Sequence, residues 1–162
     1  MRERELESVR EVSGESLSPA PSYFEPGKGH VTALEARRIP VRKTSAPKKV
    51  LVVEDNLDSV QTLVLVLQDM GHQVVYAISG EGALEVAKHM RPDFVLLDLG
   101  LPGIDGFEVC RRIKADPALN AARVVAVTAY EGSNYRESSA AAGFDMHLVK
   151  PVSPRIFEEL LG

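Results

Sequence analysis

Several residue types that would define a functional class are scarce or missing in this 162-residue chain. There is no tryptophan, and Cys110 is the only cysteine, so an internal disulfide is excluded. No apolar run approaches the roughly 18–20 residues that a helix needs to cross a bilayer. The N-terminus lacks the apolar stretch of a signal peptide. We therefore expect neither a secreted nor a membrane-spanning protein, and a lone thiol fits a reducing cytoplasm.

Charge is distributed unevenly, although the formal net charge is only −4. Residues 50–162 carry nine basic and 16 acidic side chains, whereas residues 1–49 carry ten basic and seven acidic ones. The two regions therefore have net charges of −7 and +3. An acidic body argues against direct DNA binding. The length suits one domain with an appendage.

The first 47 residues differ in composition from the rest of the chain. They hold five of the ten prolines and show no sustained apolar period. This pattern predicts a largely disordered arm over residues 1–47 and a folded domain over residues 48–162. A frayed helix could form over residues 2–12. Residues 37–49 contain six basic side chains and no acidic one, which indicates either a solvated linker or a docking segment for an acidic surface.

From residue 49 onward, short apolar runs alternate with helical patterns. The runs lie at Val50–Val53, Val74–Ala77, Phe94–Leu97, Val124–Val127 and Met146–Val149. Such β-branched runs are typical of strands that are buried on both faces. Right-handed crossovers then predict an α/β fold, a doubly wound five-stranded parallel sheet with helices on both faces.

Helix signals fill the gaps between these strands. Apolar residues recur at steps of three and four over residues 57–67, although the second half could locally pass for a strand, and Gly71 supplies a stop. Residues 105–108 have the form of a capping box. Gly143 follows an alanine run as a left-handed helix end. Ser153-Pro154 predicts an N-cap and a proline at the first helical position.

Polar residues follow four of the predicted strands. Glu54 and Asp55 end the first, Asp98 ends the third, Thr128 ends the fourth and Lys150 ends the fifth. In open parallel sheets, ligands bind beyond these carboxyl ends. Three carboxylates brought together require a raised pKa or a cation, and an oxygen-rich site suits Mg²⁺. The set predicts a phosphoryl receiver in which a carboxylate is the nucleophile and the ammonium and hydroxyl groups stabilise charge.

Isolated acidic residues at strand ends have a simpler explanation, because most of them cap helices or lie in solvated turns. Asp55 or Asn56 could cap the next helix. The same explanation suits Asp58, Asp93, Asp105 and Asp145.

Four segments carry a resemblance to a known family. They are residues 50–56 (VLVVEDN), 95–103 (VLLDLGLPG), 127–129 (VTA) and 149–152 (VKPV). In this order and spacing, the chain resembles the receiver domains of response regulators in two-component signalling over about residues 48–161. The resemblance implies the flavodoxin-like strand order 2-1-3-4-5.

The resemblance also implies a role for each acidic residue at the strand ends. Asp98 would be the phosphoacceptor, and the donor would be a histidine on a histidine kinase or a histidine phosphotransfer protein. Glu54, Asp55 and Asp98, with the backbone carbonyl of Gly100, would hold Mg²⁺. A cis peptide bond would precede Pro151.

A conformational switch is a further implication. Thr128 and Lys150 would contact the phosphoryl oxygens, and Thr128 would move together with a side chain on the fifth strand. That side chain is His147. Many members of the family have Tyr or Phe at this position, whereas a histidine there resembles the receivers of hybrid histidine kinases. We hypothesise weaker or more pH-dependent coupling here, with a satisfied surface histidine as the alternative. Gly100 and Tyr130 would flank the path of water with opposite effects on phosphate lifetime.

Other enzymatic sites fit the sequence less well. Residues 80–85 resemble a dinucleotide-binding turn, but Glu85 stands where the third glycine is required. A haloacid-dehalogenase-like phosphatase would need a second acid at Gly100. We therefore expect a phosphoacceptor and not a turnover enzyme.

The expected output is protein contact. Only 12 residues follow Lys150, so we expect a stand-alone receiver without a DNA-binding output. The face made by the fourth helix, fifth strand and fifth helix would bind an unidentified downstream protein or a second copy. A phosphorelay intermediate, a phosphate sink, a terminal receiver fragment of a hybrid histidine kinase and binding through the arm remain open.

Overall fold

The computed structural model describes residues 46–162, in which strands and helices alternate. The strands are β1 (Lys49–Val53), β2 (Gln73–Ala77), β3 (Phe94–Leu97), β4 (Arg123–Thr128) and β5 (Met146–Val149). The helices are α1 (Leu57–Asp69), α2 (Gly80–Met90), α3 (Gly106–Ala115), α4 (Ser133–Ala142) and α5 (Pro154–Leu161). No helix in this part of the chain is long and apolar enough to cross a membrane.

The predictions for the N-terminal region concern mainly residues outside the described range 46–162. The arm over residues 1–47 lies outside the described residues except for its last two, and the frayed helix lies wholly outside them. Of the basic segment over residues 37–49, only the last four residues are described. The boundary between arm and domain therefore stays a prediction.

The five strands form one parallel sheet in the order β2-β1-β3-β4-β5, which confirms the predicted fold. Alternate residues of β1 point to opposite faces, as the period of a strand requires. Leu51 and Val53 pack with buried residues of α2 and α3, whereas Val50 and Val52 pack with those of α1 and α5. The central strands are therefore covered on both faces, as their continuous apolar runs predict.

The two edge strands are less buried than their sequences predict. In β2, Val75 is 42% exposed and Tyr76 is 51% exposed, and in β5 Met146 is 38% exposed. An apolar run alone does not distinguish a central strand from an edge strand, because both satisfy the same local pattern. The exposure follows from strand order, a property of the whole sheet.

The predicted helix ends are confirmed with two differences. The first is that the Glu108 carboxylate accepts from Arg111 and Arg112, so the capping box is only half formed. Asn56 and Asp105 each accept a hydrogen bond from the backbone N–H three residues later, at 3.0 and 2.9 Å. Gly143 is left-handed with φ 99°. Ser153 precedes Pro154 as the N-cap, but its hydroxyl makes no capping hydrogen bond. Proline at the first turn is therefore the feature that marks the start of α5.

Cys110 lies on α3 within the core that this helix forms with β1 and α2. Its side chain is buried and free of any disulfide. Burial raises the pKa of the thiol to about 11. The group therefore stays protonated at neutral pH and behaves as a small apolar core residue.

Candidate functional site

The register of the sheet brings the predicted polar residues to one edge. Val53 pairs with Leu97, and Leu97 pairs with Ala126, so the residues that follow β1 and β3 emerge side by side. Thr128 pairs with Val149, which places Lys150 beyond the end of β5. Residues that are up to 96 positions apart in sequence thus share one site.

Three carboxylates converge at this edge. One oxygen from each of Glu54, Asp55 and Asp98 lies within 4.8 Å of the others. Glu54 is buried, Asp98 is half-buried and Asp55 is exposed. The group therefore has a shielded side against the sheet and an open side toward solvent.

Backbone N–H groups orient two of the carboxylates. Glu54 accepts a hydrogen bond from the backbone N–H of Asn56 at 3.1 Å, and Asp98 accepts one from the backbone N–H of Gly100 at 3.2 Å. Each bond occupies one oxygen of its carboxylate. The remaining oxygen of each, Oε2 of Glu54 and Oδ2 of Asp98, faces the same cation.

That cation is Lys150, whose ammonium group bridges the two carboxylates. It donates a hydrogen bond to Glu54 and a second one, at 3.3 Å, to Asp98. Burial alone would lower the pKa of Lys150, but the hydrogen bond to Glu54 and the negative charge of Asp98 outweigh it and raise the pKa. Lys150 is therefore charged at neutral pH and offsets part of the repulsion between the carboxylates.

Thr128 and Tyr130 form the wall on the β4 side. Thr128 is fully buried, and its Oγ1 accepts a hydrogen bond from the backbone N–H of Tyr130 at 3.4 Å. The Tyr130 ring stacks on Tyr135 and covers Gly100, where an added Cβ would lie 3.2 Å from the ring. The two positions predicted to act oppositely on water therefore touch each other.

Two glycines that the sequence analysis did not single out as site residues fix the loop after β3. A Cβ at Gly106 would lie 2.3 Å from the carbonyl oxygen of Asp98, and one at Gly80 would lie 2.7 Å from that of Ile104. Both contacts are closer than any side chain permits, so α2 and α3 approach the loop only through glycine. The available signal was that each glycine directly follows an N-cap residue.

His147 lies beside this site and not in it. Its Nδ1 is 2.9 Å from the hydroxyl of Ser139, and its Nε2 is 3.2 Å from the backbone carbonyl oxygen of Tyr130. The ring therefore contacts α4 and the loop between β4 and α4, residues 129–132. Both ring nitrogens thus have polar partners, as those of a satisfied surface histidine would, and the predicted coupling through His147 stays a prediction.

Of the acidic residues that could cap helices or lie in turns, Asp55 belongs to the carboxylate cluster and leaves the cap of α1 to Asn56, whereas the other four lie outside the cluster. Asp93 accepts a hydrogen bond from the backbone N–H of Lys49, and Asp105 caps α3. Asp145 accepts hydrogen bonds from the backbone N–H of Val124 and from Lys114. Asp58 lies in the first turn of α1, which its charge stabilises.

A cavity of about 510 Å³ adjoins the carboxylates and extends between α1, the sheet and α5. Its polar end includes Glu54, Asp98 and Lys150. Apolar side chains of both helices, among them Leu63 and Phe157, line the remainder. The carboxyl edge of the sheet is therefore accessible from solvent along the α1 side.

This geometry defines an α/β domain with an acidic, lysine-bridged pocket at the carboxyl edge of its sheet. Residues 50–161 match the family model described as the response regulator receiver domain. The chain belongs to this receiver family of two-component signal transduction. Receiver domains are signalling phosphoacceptors and not turnover enzymes, they bind Mg²⁺ in their acidic pocket, and histidine kinases are their partners.

Three similar proteins illustrate the range of the family. The polar-differentiation response regulator DivK of Brucella anthropi is 33% identical over 115 residues, which cover 70% of this chain and 94% of DivK. The transcriptional regulatory protein AfsQ1 of Streptomyces coelicolor is 40% identical over 109 residues, 67% of this chain and 47% of AfsQ1. The chain thus spans about half the length of AfsQ1.

The third is a solved structure, the receiver domain of a sensor histidine kinase from Pseudomonas aeruginosa PAO1 with a magnesium ion coordinated in its active-site cleft. It is 29% identical, has a TM-score of 0.66 and covers 72% of this chain and 95% of its own.

Proposed function

We propose that Asp98 accepts a phosphoryl group from a phosphohistidine and that the acyl phosphate changes the protein contacts of the domain. The observation that carries this proposal is the cluster of Glu54, Asp55 and Asp98 with Lys150 bridging two of its members. A structural salt bridge needs one carboxylate for one lysine. Three carboxylates with a single ammonium are the arrangement of a site that takes a further cation.

The donor set of this cluster fits Mg²⁺. All three side chains offer hard oxygen ligands, and the open side at Asp55 leaves room for the water molecules that Mg²⁺ retains. We assign Glu54, Asp55 and Asp98 to the metal, with the backbone carbonyl of Gly100 as a fourth ligand. When bound, the ion supplies positive charge beside the transferred phosphoryl oxygens.

The transfer needs no other protein nucleophile. An oxygen of Asp98 forms a bond to phosphorus as the bond between phosphorus and the histidine nitrogen breaks, and the electron pair of that bond returns to the imidazole. Lys150, already 3.3 Å from Oδ2 of Asp98, and the hydroxyl of Thr128 stabilise the phosphoryl oxygens. Water later hydrolyses the acyl phosphate and restores the carboxylate.

We infer that the output is protein contact through the α4–β5–α5 face. Each of these elements leaves one large apolar side chain more than a third exposed: Tyr135, Met146 and Ile156. The match over 94% of DivK supports a receiver that works without an attached DNA-binding domain. We also propose a cytoplasmic location, which a chain with a lone cysteine fits. A second copy is one candidate occupant of the face.

The alternative output is phosphoryl relay, as in the receiver of a hybrid histidine kinase. The similarity of this chain to the kinase receiver from Pseudomonas aeruginosa supports this alternative. The two outputs differ in the fate of the phosphoryl group. In a relay it moves from Asp98 to a histidine of a phosphotransfer protein. In a contact switch it stays on Asp98 while the partner binds.

The test is phosphotransfer from radiolabelled histidine kinases to the full chain. We expect label on the wild type and none on Asp98→Asn, which keeps the side-chain shape but lacks the nucleophilic carboxylate. Asp58→Asn is the matched control, because Asp58 lines the same cavity but is not part of the carboxylate cluster. Its labelling should stay within about twofold of wild type, since a screened surface charge contributes little. Label that persists on Asp98→Asn contradicts the proposal.

A further inference from the structure

The outer edge of β2 is open and carries no protection. β2 is the last strand on one side of the sheet, and among residues 46–162 no strand lies beyond it. Natural sheets shield such an edge with charged side chains, proline or a bulge, because an open edge recruits further strands. β2 pairs with β1 residue by residue and without a bulge, and residues 70–80 contain no Asp, Glu, Lys, Arg or Pro.

The backbone of β2 directs hydrogen-bonding groups outward at two residues. Gln73 donates its N–H to the carbonyl oxygen of the residue before β1, and the carbonyl oxygen of Ala77 accepts from the N–H of the residue after β1. Because these groups alternate between the two sides of a strand, those of Val74 and Tyr76 point away from β1. Each of these two residues therefore offers one donor and one acceptor to a further strand.

Exposed apolar side chains flank this backbone on both faces of the sheet. Val75 lies on the α2 face and is 42% exposed, whereas Tyr76 lies on the α1 face and is 51% exposed. Five of the nine most exposed large apolar side chains within residues 46–162 lie on α1, on β2 or directly after β2. We call these five residues and the backbone of β2 the β2 edge; they are Leu57, Leu65, Val75, Tyr76 and Ile78.

Neither neighbouring helix adds uncompensated negative charge to the β2 edge. On the α2 face, Val75 borders a groove whose one carboxylate, Glu85, is paired with Lys88 at 2.8 Å. On the other face, Ser59 and Leu63 of α1 line the cavity on the α5 side, so the opposite flank of this helix, at about 100° per residue, lies above β2. That flank consists of Leu57, Gln61, Val64, Leu65 and Gln68.

We propose that a second copy of this chain occupies the β2 edge, with the two β2 strands paired antiparallel about a twofold axis. Centred on Val75, this pairing sets Val74 of each copy opposite Tyr76 of the other. The outward donors and acceptors then form four inter-strand hydrogen bonds, two at each Val74–Tyr76 pair. Val75 meets its own copy, and cross-strand pairs of aromatic and β-branched residues of this kind stabilise a sheet.

The absence of charge at the β2 edge favours a second copy over a charged partner. Residues 50–162 have a net charge of −7, so two copies repel each other wherever their charged side chains approach. The β2 edge lets them meet through uncharged residues. A foreign protein is selected largely by complementary charge, which the β2 edge does not provide.

The dimensions of the β2 edge set the expected affinity. A five-residue strand is about 17 Å long, and a sheet with one helix layer on each face is about 30 Å deep. These dimensions give on the order of 500 Å² per copy, or about 1,000 Å² in total, which is the lower limit for a specific interface. We therefore expect a reversible dimer with a dissociation constant in the micromolar range.

The antiparallel pairing leaves both proposed functional surfaces accessible. The two sheets join into one, with β5 of each copy at its outer ends. The α4–β5–α5 faces thus lie farthest from the contact, and the two carboxylate clusters face opposite directions along the strands. The dimer needs no phosphorylation, so its test is independent of the proposed function.

Sedimentation equilibrium of the full, unphosphorylated chain tests the dimer. For the wild type we expect a monomer–dimer equilibrium with a micromolar dissociation constant. Val75→Lys should raise this constant more than about tenfold, because it places two ammonium groups directly opposite each other. Met146→Lys is the matched control, since Met146 is 38% exposed on the other edge strand, β5, and this variant should dimerise as the wild type does. Urea denaturation establishes that both variants are folded.

A cysteine at the axis tests the pairing without adding charge. Residues opposite each other at a non-hydrogen-bonded position of an antiparallel pair have Cα atoms about 4.5 Å apart, which a disulfide can span. With oxidised glutathione as the oxidant, Val75→Cys should therefore form a disulfide-linked dimer at least about tenfold faster than Met146→Cys. The native Cys110 is buried and does not compete.

The proposal is overturned if the wild type is monomeric at millimolar concentration, if Val75→Lys dimerises as the wild type does, or if Met146→Lys abolishes the dimer. A series of ever larger species also overturns it, because a twofold contact closes at two copies. Equal rates of disulfide formation in the two cysteine variants exclude the antiparallel pairing and overturn it as well.

Discussion

Among single residues, Gly106 shows how closely the site is built against the backbone. It begins α3 and lies where a Cβ would be 2.3 Å from the carbonyl oxygen of Asp98 and 2.8 Å from the Cα of Leu99. Its backbone N–H donates a hydrogen bond to the carbonyl oxygen of Leu99. The start of the helix thereby fixes the backbone of the proposed phosphoacceptor, and only a residue without a side chain can take this place.

We expect Gly106→Ala to lower the free energy of unfolding by about 1–3 kcal/mol, the usual effect of forcing an extra carbon into a packed site. Urea denaturation measures this change. Gly82→Ala in α2 is the matched control, because its added Cβ meets two side-chain atoms, the Ser79 hydroxyl at 3.1 Å and the Ala77 Cβ at 3.9 Å, and no backbone atom outside its own helix. A loss for Gly106→Ala no larger than that of the control would show that the backbone around Asp98 relaxes freely.

Individual site residues can be predicted from the sequence to different extents. Glu54, Asp98 and Lys150 could be placed together because strand ends of a parallel sheet share an edge, which requires only the order of elements. The contacts of Tyr130 with Gly100 and of His147 with Ser139 could not be predicted. They depend on the path of the β4–α4 loop and on side-chain directions that no periodic pattern encodes.

Among the elements, the entry to β5 is held to two others by Asp145. Its carboxylate accepts a hydrogen bond from the backbone N–H of Val124 at the start of β4, at 2.7 Å, and one from Lys114 on α3, at 2.8 Å. Burial would raise the pKa of Asp145, but these two hydrogen bonds and the charge of Lys114 lower it below its ordinary value. The charged form therefore stabilises the junction of α3, β4 and β5.

For Asp145→Asn we expect a loss of about 1 kcal/mol in the free energy of unfolding at pH 7, since the side chain is 36% exposed and solvent screens part of the interaction. Because the pKa is lowered by folding, the stabilisation is present above the ordinary value near 3.8 and is lost as pH falls through the folded value. Urea denaturation at pH 7 and pH 3 should thus show a smaller difference in the free energy of unfolding between wild type and variant at pH 3 than at pH 7.

Glu159→Gln is the comparison for this prediction, because it removes the exposed ion pair of Arg155 and Glu159. Its effect at pH 7 should stay below about 0.5 kcal/mol. An Asp145→Asn effect that is equally small, or one that does not depend on pH, would show that this carboxylate does not join the three elements.

The boundaries of an element could be predicted wherever particular residues in the sequence mark them directly. β3 and β5 begin and end at the predicted residues, and α5 begins at the predicted Pro154, because hydrophobic runs and the Ser-Pro pair mark these positions directly. Helix α1 continues through residues 63–67, which locally resemble a strand, because the amphipathic period extends over its whole length. The exposure of β2 depends on its position at the edge of the sheet, which the local sequence pattern does not indicate.

Across the whole molecule, the charge of the described domain favours cation binding at one place. Residues 50–162 carry a net charge of −7, and three of the acidic side chains meet within 4.8 Å. Lys150 compensates Glu54 and Asp98, while Asp55 has no ion-pair partner among residues 46–162. A divalent cation at this cluster would relieve repulsion that the folded state otherwise retains.

We therefore expect Mg²⁺ to stabilise the wild type against unfolding, by about 1.4 kcal/mol at a concentration ten times its dissociation constant. Urea denaturation with and without Mg²⁺ at constant ionic strength measures the gain. Asp55→Asn should show a much smaller gain because it removes one proposed ligand, whereas Asp58→Asn should behave as wild type. Equal gains in all three proteins would place the Mg²⁺ effect outside the cluster.

The buried thiol of Cys110 has a practical consequence for labelling experiments on α4 and α5 in solution. The chain has no other cysteine, and a protonated, inaccessible thiol reacts slowly with maleimides and similar reagents. Cysteines introduced together at Ser133 on α4 and at Arg155 on α5 would thus be the two attachment points for a pair of spin labels. The distance between the labels, with and without phosphorylation, then tests whether α4 moves relative to α5, and no native cysteine has to be removed first.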